Sequence, residues 1–279
     1  MSTGKTILVP TDFTKVADCA MNHAMKLAER LGAGVAILHI VDKAAHTEEA
    51  MVKLHMEAER AKRWNAQVPV TPVVRVGSVY EDIGVVAAEL GAVMIIMGTH
   101  GMRGMQFITG SRALRVITNS SVPFIVVQER DIKANGYRDI VVPLDLHKES
   151  RNKLSLVADM AKYFGSRVHL VVPKESDQFL HNQLGNHLKF ANQFFRERGI
   201  EHEAAILDED SDDFVKGVIR YAVKVDADLI AIVNMLQNSI FGVLGVPNEQ
   251  EVITNEPMIP VMCMNPLNTT VSDMPVWGP

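Results

Sequence analysis

Cysteine is nearly absent from this chain: only Cys19 and Cys263 occur in 279 residues. They stand far apart, with no CxxC pair and no Cys/His spacing for a metal. That excludes a disulfide-stapled secreted scaffold and a zinc module. Two cysteines can pair in principle, but so sparse a usage fits reduced thiols, and the cytoplasm is the expected compartment. Long apolar runs are missing as well. None reaches the roughly 18 residues that a membrane helix needs, so no membrane span is expected. The opening Met-Ser-Thr-Gly-Lys-Thr runs straight into a strand-like segment, unlike a secretory leader. Positive charge is in deficit, with 28 Lys and Arg against 33 Asp and Glu and a formal net charge of −5. No basic run offsets this, so nucleic acid is not an expected partner.

What is present is an ordinary globular composition, 47% hydrophobic and 22% charged, on a chain long enough for two domains of about 140 residues. The chain is also written twice. Lys5-Thr-Ile-Leu-Val-Pro10-Thr-Asp12 and Arg138-Asp-Ile-Val-Val-Pro143-Leu-Asp145 share a pattern at an offset of 133 residues. Val116-Ile-Thr-Asn119 and Val252-Ile-Thr-Asn255 match at 136, each followed by a proline and an apolar run. Matching order with a small drift in offset describes a duplicated domain. The expected division is residues 1–130 and 137–266, joined by a polar linker and followed by a tail at 267–279.

Within the first repeat, short Val/Ile-rich runs at 6–9, 35–41, 70–76, 93–97 and 123–128 read as strands. Helical spacing links Val16, Ala20, Ala24, Leu27 and Leu31, with Gly32 placed as a C-terminal cap. Further helices are expected at 47–65, at 79–90 behind a Ser78/Glu81 capping box, and at 111–119. The second repeat follows with strands at 140–143, 168–172, 203–207, 229–233 and 261–264 and helices at 153–164, 187–198 and 212–225. Continuous apolar strands alternating with helices imply an α/β architecture. Two tandem, open, five-stranded parallel sheets are expected, Rossmann-like, with helices on both faces.

Ligands of such sheets bind beyond the carboxyl ends of the strands, where strand order reverses. Asp12 follows the first strand, Val41-Asp42 ends the second, and the glycine loop Gly98-Thr-His-Gly101 leaves the fourth. Gly110-Ser111 then opens a helix, whose free N–H groups suit an anion. Asp12 has two readings: acceptor for a ribose hydroxyl or adenine amino group, or, with Thr14, a cap on the next helix. Ser111 lacks the Gly-x-Ser-x-Gly elbow of a nucleophile, and no Gly-Lys-Ser/Thr marks a Walker loop. His46, His55, His181 and His187 read as solvated surface rather than metal ligands, and His39 as a strand residue with one hydrogen bond. His100 is retained as a candidate ligand contact.

Ile7-Leu-Val-Pro-Thr-Asp12, Leu38-His-Ile-Val41-Asp42, Gly98-Thr-His-Gly101 and Ser121-Val-Pro-Phe-Ile-Val-Val127 together resemble the universal stress protein family. The likeness covers repeat one well and repeat two in outline, as in a tandem member, and implies an adenine-nucleotide alpha-hydrolase-like fold. Members that bind ATP carry Gly-x2-Gly-x9-Gly-Ser/Thr. Transferred by position, Asp12 and Val41 face the adenosine, while Gly98, Gly101, Gly110 and Ser111 surround ribose and phosphates. Here eight residues separate Gly101 from Gly110 instead of nine. In repeat two the corresponding positions are Asn234, Gln237, Val246 and Pro247, which add bulk and remove a donor N–H, so that repeat is expected to be structural or regulatory. The resemblance implies a stress-response protein that binds ATP or a related adenine nucleotide, with Mg accompanying it, without efficient catalysis. It also implies self-association, as an intrachain pseudo-dimer of the two domains and as a homodimer. The alternatives are a nucleotide-free interaction module of the same fold, which the shortened loop favours, and a slow ATPase.

Overall fold

A computed structural model describes residues 4–99, 110–146, 153–209, 213–233 and 248–265. The backbone divides into two compact units: one ends at Ile132 and takes in Cys263–Asn265, and the other runs Lys133–Met262.

The first unit alternates β1 (Thr6–Pro10), α1 (Lys15–Leu31), β2 (Gly34–Val41), α2 (Thr47–Ala61), β3 (Val70–Val76), α3 (Val79–Glu89), β4 (Ala92–Gly98), α4 (Gly110–Thr118) and β5 (Phe124–Val127). Its strands pair in parallel in the order β3-β2-β1-β4-β5. Right-handed crossovers then put α1 and α2 on one face and α3 and α4 on the other. The contacts agree: Arg60 of α2 bonds Asp18 of α1, and the Arg115 guanidinium of α4 lies 5.0 Å from the Tyr80 ring centroid of α3. Covered on both sides, Ile7, Leu8, Met94, Ile95 and Ile96 are fully buried. Each such side chain stabilises the fold by roughly 2 kcal/mol relative to leaving it in water.

Helix α1 shows how local sequence sets this frame. The Thr14 hydroxyl accepts from the Ala17 N–H, and Gly32 ends the helix at φ 62°, returning its N–H to the Ala28 carbonyl. A bulkier residue in that left-handed conformation would be strained. The buried face also carries two polar side chains. Cys19 Sγ donates to the Arg130 carbonyl at 3.3 Å, and His23 Nε2 lies 3.0 Å from the same oxygen. Burial pushes the Cys19 thiol up to about 12, which keeps it in the thiol form. Cys263 is likewise buried and free.

The second unit repeats the pattern with β6 (Asp139–Pro143), α5 (Leu154–Phe164), β7 (Arg167–Val172), α6 (Gln178–Glu197), β8 (His202–Ile206), α7 (Phe214–Lys224), β9 (Leu229–Val233), α8 (Asn248–Ile253) and the first two residues of β10 (Val261–Met264). Strands β9-β6-β7-β8 are parallel neighbours, and the Ile230 N–H donates to the Pro260 carbonyl at 2.9 Å, leading β10 in beside β9. The Lys133 ammonium ties the entry of β6 to the α7–β9 turn, reaching Asp226 Oδ2 at 2.8 Å and Asp228 Oδ1 at 2.7 Å.

Three local expectations change. Helix α6 starts nine residues before the expected 187, because Asp177 caps it by accepting from the Phe179 and Leu180 N–H groups at 2.9 and 3.0 Å. The exposed first turn, with Phe179 turned to solvent, hid that start. Ser78 does cap α3, through the Tyr80 N–H at 3.3 Å, but its own N–H goes to Asp82 at 2.8 Å rather than to Glu81. Asp82 is held there by Arg75 at 3.2 Å. Helix α8 was not anticipated, although the Val-Ile-Thr-Asn repeat pointed to it.

Burial pushes His23 down to about 4 from an ordinary 6.5. The unfolded chain therefore binds the extra proton first, and stability is lost as pH falls from 6.5 towards 4, by on the order of 3 kcal/mol in total. Urea unfolding measured across that window should show a shallower pH slope for His23→Gln than for the native chain. Equal slopes would remove His23 as the cause.

Candidate functional site

The order β3-β2-β1-β4-β5 reverses between β1 and β4. The connection after β1 turns towards β2, whereas the one after β4 turns towards β5, so a crevice opens above the carboxyl ends of β1 and β4. Asp12 stands two residues beyond β1, Val41 ends β2, Gly98 ends β4 and Gly110 opens α4. His100 and Gly101 lie outside the described residues. So do the side-chain surroundings of Ser111.

The turn after β1 is fixed by several bonds at once. The Thr11 N–H donates to the Leu38 carbonyl at 2.8 Å, and Thr11 Oγ1 accepts from the Phe13 N–H at 3.0 Å. Asp12 Oδ1 accepts from the Thr14 N–H at 3.1 Å and from the Thr14 hydroxyl at 2.6 Å. The cap on α1 is thus Thr14, and Asp12 orients it with one carboxylate oxygen. Phe13 sits at φ 64°, a left-handed conformation that costs a non-glycine residue about 1–2 kcal/mol. His39 steadies it: Nδ1 lies 2.7 Å from the Thr11 carbonyl, and the ring stands 4.6 Å from the Phe13 ring. Nothing in the sequence marked Phe13 for this role.

The other candidates each carry a structural duty. The Val41 carbonyl accepts from the Gly77 N–H at 2.9 Å, which closes β2 on β3. At Gly98 a Cβ would stand 2.7 Å from Val16 Cγ1 and 2.9 Å from the Val16 carbonyl oxygen, so the missing side chain lets α1 lie directly on the end of β4. Helix α4, nine residues long from Gly110, offers its first N–H groups without intrahelical partners. These residues fit an anionic, hydroxyl-bearing ligand by donor and acceptor type: a carboxylate acceptor on one side of the crevice and a helix amino end on the other.

Repeat two is built differently at the matching place. The Asp145 carbonyl lies 2.9 Å from His187 Nδ1, and the Leu146 carbonyl accepts from Gln183 at 2.8 Å, so α6 pins that turn. His187 is thereby buried, not the solvated residue expected. Residues 234–247, where the glycine loop would fall, lie outside the described residues. His46 pairs with Asp42 at 2.8 Å and lowers that carboxyl below its usual range. Among the described residues, no group of three His, Cys, Asp or Glu side chains is placed to hold a metal ion. No described helix is long and apolar enough to cross a membrane.

Residues 4–128 match the model of the universal stress protein family. The match takes in most of the first unit and 125 of the 279 residues. A universal stress protein of Methanocaldococcus jannaschii is 27% identical over 158 residues, 46% of this chain and 96% of the relative. Universal stress protein G of Escherichia coli is 29% identical over 141 residues, 44% of this chain and 99% of the relative. Over the greater part of the chain, the crystal structure of a universal stress protein from Archaeoglobus fulgidus is similar in fold. It has a TM-score of 0.71 at 16% identity and covers 94% of this chain and 97% of its own. A second universal stress protein structure, from Pseudomonas aeruginosa, gives a TM-score of 0.64 at 15% identity over 95% and 94%. The sequence likeness thus lies in the first half, and the fold likeness extends through both.

Gly98→Ala should destabilise the first unit by about 2 kcal/mol, since the methyl meets helix backbone that cannot yield. Denaturant unfolding without any ligand reads this directly. An unchanged stability would mean that α1 does not lie against β4 as described.

Proposed function

We propose that the first unit binds an adenine nucleotide, ATP or a close relative, in the crevice above β1 and β4, and that this binding serves a stress response. One observation carries the reading: strand reversal brings the Asp12 turn and the Gly98 end of β4 to the same crevice, with α4 opening from Gly110. In this reading Asp12 and the Val41 main chain meet the adenosine. Gly98, His100, Gly101, Gly110 and Ser111 surround ribose and phosphates, and Mg accompanies the phosphates. The chain binds without efficient turnover. The second unit is structural or regulatory and takes no nucleotide, in keeping with its pinned Asp145 turn. Self-association of the two domains and of whole chains, in the cytoplasm, belongs to the same proposal.

A nucleotide-free interaction module is the second reading. It is favoured by the eight-residue spacing from Gly101 to Gly110 and by the packing duty of Gly98. The two separate in a melting experiment. Ligand that binds only the folded state adds about 2.7 kcal/mol at one hundred times its dissociation constant, so ATP with Mg should raise the melting temperature by several degrees. Gly110→Val should abolish the rise. No rise in the native chain, together with no nucleotide released on denaturation, would leave the module. Phosphate release above background that Gly110→Val removes would instead indicate a slow ATPase.

A further inference from the structure

We propose that Asn265 is a positioning residue for the crevice of the first unit: it grips the carboxyl end of α4 and so sets where that helix presents its first N–H groups. This rests on the nucleotide reading above. Asn265 is the last described residue and, with Cys263 and Met264, belongs to the first unit. Its Nδ2 donates to the Ile117 carbonyl at 2.7 Å and to the Ser120 carbonyl at 2.6 Å, and the Thr118 carbonyl lies 3.3 Å away. The last carbonyls of a helix have no partner within it, and an amide nitrogen brings two N–H groups. Three oxygens around one atom also fix which end of the amide faces them, since an oxygen there would repel all three.

The two repeats finish this helix differently. Asn119 and Asn255 end the matching Val-Ile-Thr-Asn runs. Asn255 is buried and closes its own turn: its Nδ2 donates to the Val252 and Ile259 carbonyls, both at 2.8 Å, and its Oδ1 accepts the Ile259 N–H at 2.8 Å. Asn119 is exposed and turns to the Tyr80 carbonyl on α3 at 3.4 Å. Side-chain donors for the end of α4 come instead from Asn265, 145 to 148 positions further along the chain.

Helix α4 behaves as a short rod. It has nine residues, about 13 Å at 1.5 Å per residue, and Ala113, Leu114, Val116 and Ile117 are buried. At its carboxyl end, a Cβ on Gly84 would stand 2.9 Å from the Asn119 carbonyl oxygen, so α3 lies directly against the point that Asn265 holds. The turn there is tight: the Ser120 N–H donates to the Ile117 carbonyl at 3.1 Å, and Ser120 Oγ accepts the Val122 N–H at 3.0 Å. A rod fixed at one end carries its other end with it. Without Asn265, α4 tilts about its contact with Gly84, and its amino end moves relative to Gly98. A residue from the far side of the sequence thus completes the crevice that Asp12 and Gly98 begin.

Calorimetric titration with ATP and Mg, paired with amide hydrogen exchange on the ligand-free full chain, tests this. Asn265→Leu keeps a branched side chain and removes both donors. Its ATP dissociation constant should rise about tenfold, and amides of residues 114–118 should lose about tenfold in protection, while those of β1 and β4 keep theirs. Asn265→Gln, which retains two N–H donors, should recover most of the affinity. Should Asn265→Leu not fold, the native chain supplies a second measurement. Coupling between sites is reciprocal, so saturating ATP should slow exchange of the Asn265 side-chain amide protons, followed by NMR. Equal ATP affinity in the native and Asn265→Leu chains, even with α4 loosened, would overturn the positioning role and leave the nucleotide reading standing. Side-chain exchange unmoved by bound ATP would do the same. No ATP binding by the native chain would overturn both.

Discussion

Helix α1 lies so close to the end of β4 that no Cβ fits at Gly98. The rest of the first unit is arranged around that approach. It brings the amino end of α1, and with it the Thr14 cap and the Asp12 carboxylate, next to the strand from which the glycine loop departs. The strand reversal between β1 and β4 then makes the crevice unavoidable, because the two connections diverge. A residue that resembles a ligand-binding glycine is thus first a packing residue, and the crevice exists because the packing does.

The strain at Phe13 belongs to the same constraint. A bulky residue at φ 64° persists only where its surroundings over-determine it. Here Thr11, Thr14 and His39 do so through short bonds and one ring contact. Asp12 is held between these points, with one oxygen committed to Thr14, which fixes the turn. A preorganised acceptor loses less ordering entropy on binding than a mobile one.

Much of this was legible in the sequence, for identifiable reasons. Continuous Val/Ile runs marked the buried strands, and Thr14 and Gly32 bounded α1 because caps depend on local chemistry alone. The internal repeat exposed the duplication without any structure. The misses are equally physical. Glu81 and Asp82 are indistinguishable by type, and only the tertiary partner Arg75 selects Asp82. The start of α6 escaped notice because Leu180 and Leu184 stand among polar residues and Phe179 beside them is exposed. Phe13 gave no signal, since backbone strain is invisible in a residue's name. The Asp139–His169–Glu203 cluster was missed because its members lie thirty or more positions apart and meet only through strand register.

The two units therefore share a frame and differ in what it holds. One has glycines at the end of β4 and at the start of α4, while the other has a turn pinned by His187 and carboxylates beside His169 at the opposite end. The most direct measurement is the stoichiometry of ATP binding to the full chain by isothermal titration calorimetry in the presence of Mg. One nucleotide per chain is the expected result. A ratio of two would contradict the division of roles, and the absence of binding heat at any concentration reached would contradict the nucleotide site itself.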